Sequence, residues 1–176
     1  MPDEVLKPEG DDHRPVAGLF GKLPATGDFV WRGLPGAFRK HWDAWLTRHI
    51  APLQRDGQAF PPGGLRFRLP SGGRLAAGVI LPSQDQAGRQ FPLSLLLIAD
   101  ADMAADQIDT WCDAALILDR ESCSADDLWT ALDALSTPAL AGPATGQMQL
   151  WTDGQLPIAT QPDAPESALR QLLGMA

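Results

Sequence analysis

Residues 65–99 hold three strand-like runs separated only by turn formers, and this stretch constrains the fold more than any other part of the chain. In residues 65–69 (LRFRL) apolar and basic side chains alternate strictly, the period of a half-exposed strand with Leu65, Phe67 and Leu69 facing in. Ser71, Gly72 and Gly73 turn the chain into residues 75–81, and residues 82–90 turn it again into residues 91–99. The last two runs are apolar on both faces, which predicts central strands covered on each side. Strands joined by turns this short pair antiparallel.

Residues 16–22 (VAGLFGK) and 28–32 (DFVWR) read as a hairpin around Leu23-Pro24-Ala25-Thr26-Gly27. After Pro35, the residues Phe38, Trp42, Trp45, Leu46, His49, Ile50 and Leu53 recur at spacings of three and four, the apolar stripe of one helix that Pro52 and Gly57 help to end. Two more helices are predicted after residue 100. Asp102 is expected to cap the first, whose inner face is Ile108, Trp111, Cys112, Ala115 and Leu116. Ser124 with Asp127 opens the second, whose stripe is Leu128, Ala131, Leu132 and Leu135, stopped by Pro138. Residues 147–151 read as a late strand and residues 167–173 as a short terminal helix.

The order is therefore ββαβββαα. A crossover through the long helix lets the first hairpin rejoin the later strands, so the expected fold is α+β: a five-stranded antiparallel sheet with helices packed on it, longin/profilin-like in arrangement. A chain of 176 residues has the length of one domain. Residues 1–15 are polar and proline-broken and are expected to be a flexible tail, with residues 16–176 forming the single domain.

Net charge is −8, which argues against nucleic acid and anionic membrane as partners. The charge is unevenly spread: residues 1–99 sum to +3 and residues 100–176 to −11. Such a split predicts one neutral-to-basic side and one acidic side, with different partners. The longest apolar run, residues 95–99, is far short of the ~20 residues of a membrane span. The first residues show no basic segment leading into an apolar one, and the two cysteines form no disulfide framework. A soluble, cytoplasmic protein is expected.

Catalytic patterns are sparse. Gly21-Lys22 precedes Leu23-Pro24, which is no phosphate loop, because Pro24 removes a main-chain donor. No serine sits in a nucleophile elbow, and the acidic run Asp100, Asp102, Asp106 and Asp109 lacks the glycine turn of a calcium loop; a helix start complemented by carboxylates explains it more simply. No cofactor or metal is predicted. What remains is a polar set: Lys22, Asp28 and Arg32 from the first hairpin, and Ser83, Asp85 and Arg89 from the loop before the last strand. If the two loops share one end of the sheet, Arg89 can pair with Asp28 or Asp85 and Ser83 can bond Asp85. The set then serves either as a loop staple or as a partner-binding rim. The alternative from another class is a small hydrolase or nucleotide-binding switch using Lys22, Ser83 and Asp85.

Residues 18–32 (GLFGKLPATGDFVWR), 42–46 (WDAWL) and 78–93 (GVILPSQDQAGRQFPL) strongly resemble the TagF (ImpM) family of type VI secretion accessory proteins. The late Leu150-Trp151-Thr152 resembles that family's Trp-Trp segment, with Thr152 in place of the second Trp. The resemblance implies a cytoplasmic, non-enzymatic regulator that restrains the secretion machine after translation, acting through a forkhead-associated scaffold protein.

Overall fold

The three central runs become β3 (Leu65–Ser71), β4 (Arg74–Leu81) and β5 (Leu93–Ala99), an antiparallel meander in which Gly78 lies opposite Phe67 on one side and Leu96 on the other. The computed structural model describes residues 14–175; most of the expected tail, residues 1–13, lies outside them. β1 (Val16–Gly21) pairs antiparallel with β5, setting Val16 opposite Ile98 and Phe20 opposite Ser94, and β2 (Val30–Arg32) flanks it. The chain returns between hairpin and meander through α1 (Gly36–His49), as the crossover predicts.

The sheet has seven strands, not five, in the order β2-β1-β5-β4-β3-β6-β7. β6 (Met148–Thr152) is the late strand of the sequence reading, and it lies along β3; β7 (Ile158–Thr160) lies outside it. Leu65, Arg66 and Phe67 of β3 are fully buried, so an open edge there would strand main-chain N–H and C=O groups away from water. β6 supplies their partners. Its local sequence marks a strand but not the edge it takes, and three residues are too few for β7 to show a period.

Side chains alternate between two cores. One face of the sheet, with Phe20, Phe67, Ala76, Ile80 and Leu96, packs on Trp42, Leu46 and Ile50 and on Ala168 and Leu169 of α5 (Glu166–Leu173). The other, with Leu19, Leu75, Ala77, Val79, Leu95 and Leu97, packs on α3 (Ala105–Ile117) and α4 (Ala125–Asp133) through Ile108, Trp111, Cys112, Leu128 and Leu132. β4 and β5 are thus covered on both sides. Trp42 donates its indole N–H to Ser94 Oγ at 2.9 Å, which satisfies the one polar side chain of β5.

Three local expectations change. The first helix does not run on to Leu53: it stops at His49, and α2 (Ala51–Arg55) restarts with Pro52 in its first turn, where the missing N–H costs nothing. Asp102 does not cap α3, which begins after Ala104 without a side-chain cap, because its carboxylate is taken by Arg68 at 2.6 Å. Ser124 does cap α4, accepting the Asp127 N–H at 3.1 Å, but that helix ends at Asp133, before Leu135 and Pro138.

Candidate functional site

The turn after β1 and the loop before β5 meet at one end of the sheet. Their close approach rests on Gly21, whose φ of 139° suits glycine and where a Cβ would lie 2.1 Å from the Pro92 carbonyl oxygen. The loop then wraps around the Asp85 carboxylate, which is 1% exposed. One oxygen accepts the main-chain N–H groups of Ala87 and Arg89 at 3.0 and 2.9 Å. The other meets Arg89 Nε at 2.8 Å and Lys22 Nζ at 3.3 Å. Burial by itself would lift this carboxyl; the Arg89 N–H, Lys22 and the Arg89 guanidinium outweigh it and hold it below the usual carboxylate range.

Main-chain bonds tie the two loops further. Ser83 Oγ donates to the Lys22 carbonyl at 2.7 Å, the Gln86 N–H to the Thr26 carbonyl at 2.7 Å, and Arg89 Nη2 to the Gly27 carbonyl at 2.8 Å. Gln54 Nε2 reaches from α2 to the Ser83 carbonyl at 2.6 Å. Lys22 Nζ also lies 4.9 Å from the centre of the Phe29 ring.

Of the six residues singled out, the structure brings together Lys22, Ser83, Asp85 and Arg89. Asp28 and Arg32 stand apart. Asp28 is exposed, and among the described residues its carboxylate accepts the N–H of Phe29 alone, at 2.7 Å; Arg89 pairs with Asp85 and not with Asp28. Arg32, carried along β2 to a position opposite Leu19, turns to Asp126 at the start of α4 at 2.7 Å. Ser83 bonds the main chain of Lys22 rather than Asp85, because both Asp85 oxygens are already taken.

This end of the sheet lies inside the segment that matches a known family model. The model described as the TagF N-terminal domain, type VI secretion system-associated, matches residues 18–136. The chain belongs to the TagF family. The matched segment runs from β1 through α4, so β6, β7 and α5 of this TagF-family chain lie beyond it. The crystal structure of PA0076 from Pseudomonas aeruginosa PAO1 is similar, with 26% identity and a TM-score of 0.52, covering 89% of this chain and 76% of that one. No curated protein matches.

A second polar cluster in the TagF-family chain escapes the alternation rule. Arg66 was expected on the solvent side of β3, yet it is fully buried, bonded to Asp109 and Asp113 of α3 at 2.7 Å each. Burial opposes its charge, but the two carboxylates more than offset this and raise its affinity for the proton. Trp151 donates to the same Asp109 oxygen at 2.8 Å. Arg68 takes Asp102, and Arg74 takes Asp100 at 3.0 Å. The signal was the charge split: the basic first half pairs with the acidic second half inside the molecule, so the two do not simply form opposite outer sides. Cys112, buried beside this cluster, has its thiol pushed up to about 12 by desolvation and is inert as a nucleophile.

Proposed function

We propose that this TagF-family chain is a non-enzymatic, cytoplasmic regulator of a bacterial type VI secretion system, a post-translational repressor that binds a forkhead-associated scaffold protein. Neither nucleic acid nor membrane insertion enters this reading; among the described residues no helix is long and apolar enough to cross a membrane. The strands β2-β1-β5-β4-β3 with α1 between hairpin and meander form, in this reading, a longin- or profilin-like core extended by β6 and β7.

The observation that carries the proposal is the Asp85 anchor. Its carboxylate is filled by Lys22, Arg89 and two N–H groups, while the Arg89 side chain stays 65% exposed. A charged group held at a fixed place on a rigid loop sets register with a protein partner. The hydrolase or nucleotide-switch alternative draws no support here, since Ser83 donates its proton to a carbonyl and Asp85 is saturated.

Co-purification with the scaffold protein tests the proposal. Arg89→Ala should lose the scaffold while melting close to the parent. Stabilisation by ATP, GTP or a divalent metal, roughly 2.7 kcal/mol at 100 times the Kd, would instead favour the alternative.

A further inference from the structure

His49 is a titratable group shut into the junction between α1 and α5. It ends the buried stripe of α1, and its side chain is 6% exposed. The ring lies against the Trp45 indole, with centroids 5.5 Å apart. Its Nδ1 stands 3.6 Å from Oε1 of Glu166 in the first turn of α5, beyond hydrogen-bond reach. Two more side chains hold the segment that carries α5: Trp45 Nε1 donates to the Pro162 carbonyl at 2.7 Å, and Gln58 Nε2 to the Leu173 carbonyl at 3.1 Å. Those two donors are neutral groups. Of the three side chains, His49 alone changes charge near neutrality.

α5 is lightly held. Its buried face is Ala168 and Leu169, with Leu172 half-buried beside them. β6, by contrast, is laced by main-chain bonds to β3 on one side and β7 on the other. An element with so small an apolar face opens at a lower free energy than the strands of the core.

The surroundings of the ring set the sign of its effect. Burial opposes a charge on His49, and so does Arg48 on α1; Glu166 on α5 and Asp163 in the segment before it favour one. Burial outweighs the two carboxylates, so the imidazole is kept neutral and its affinity for the proton is lowered. When α5 lifts away, water reaches the ring and that penalty ends. The open form therefore takes up the proton first, and acidification from the ordinary 6.5 down to the lower value of the closed form favours opening. We infer that the α1–α5 junction is a pH-sensitive latch, shut while His49 is neutral and loosened when it is charged. Trp45, His49, Pro162 and Asp163 also line a cleft of about 620 Å³, so the latch sets the shape of that cleft.

Native-state hydrogen exchange on the full chain at pH 7.5 and pH 5.5, with rates corrected for the intrinsic effect of pH, tests this. The amides of residues 170–173 should lose protection at pH 5.5 while those of β4 and β5 keep theirs. His49→Gln, neutral throughout, should abolish that loss, and His41→Gln, exposed on α1, should leave it unchanged. Glu166→Gln should deepen it, because it removes a carboxylate that favours the charged ring. The His49 ring proton, followed by NMR in the parent chain, should titrate below 6.5. Equal protection of α5 at both pH values, a loss shared by β4 and β5, or a loss that persists in His49→Gln overturns the inference. So does tighter protection at pH 5.5, or a ring that titrates at or above 6.5, since the charged imidazole would then be captured by Glu166 and close the junction.

Discussion

Ser83 and Lys22 are 61 residues apart in sequence, yet the Ser83 hydroxyl donates to the Lys22 carbonyl at 2.7 Å and locks two loops at one end of the sheet. The bond joins the GKLP turn to the segment that wraps Asp85. Within the same motif Asp85 is buried where the loops meet, while Arg89, bonded to Asp85 and to the Gly27 carbonyl, keeps its side chain 65% exposed.

Asp85→Ala and Arg89→Ala should therefore behave differently. Removing Asp85 leaves Lys22, which is 8% exposed, without its counter-ion, and should lower Tm markedly. Removing Arg89 loses a pair whose cationic side is exposed, worth under about 1 kcal/mol, while scaffold binding falls. Denaturant midpoints and scaffold affinity measured on the same variants check both. An Arg89→Ala chain that is destabilised yet binds fully would make the rim a staple only.

Asp85 also predicts a pH dependence. Its carboxyl is held below the ordinary 3.8 in the folded chain, so the unfolded chain takes up the proton first as pH falls. Stability from this group is complete above the unfolded value and is lost as pH drops through the folded one. Urea midpoints between pH 7 and pH 3 should fall less steeply for Asp85→Asn than for the parent.

The two carboxylates on Arg66 should not be equivalent. Asp109 serves Arg66 and the Trp151 indole together and is 29% exposed, whereas Asp113 is 59% exposed and serves Arg66 alone. Asp109→Ala should cost about 3 kcal/mol by leaving buried donors unpaired. Asp113→Ala should cost about 1 kcal/mol or less. Equal midpoints for the two variants would show that the cluster is fully solvated.

Trp42 is 1% exposed, and truncating it opens the α1 core and leaves the buried Ser94 hydroxyl without its donor. Trp42→Ala should cost roughly 3 to 5 kcal/mol, and the exposed Lys40→Ala almost nothing. Trp42→Phe should fall between them, because it keeps most of the packing but loses part of the ring and the hydrogen bond to Ser94. Thermal or urea unfolding checks the order.

Periodicity made the framework of this chain readable. Alternation and double-sided apolarity located the meander and its central place, and a three-and-four spacing located α1. The meeting of Lys22, Ser83, Asp85 and Arg89 was only conditional in the sequence: it required the two loops to share one end of the sheet, and the β1–β5 pairing is what brings them there. Asp28 and Arg32 belong to the same hairpin and were read with them; solvent holds one and α4 the other.

What local sequence determined, then, is which segments become strands and helices and which turns they share, because backbone propensity and hydrophobic period act over a few residues. Tertiary structure alone decided that β6 closes the edge of β3, that Arg66 is buried on a strand whose alternation assigns it to solvent, and that the acidic half of the chain neutralises the basic half from within. Each of these depends on partners tens of residues away, and burial and Coulomb energy respond to the groups that arrive in space rather than to neighbours along the chain.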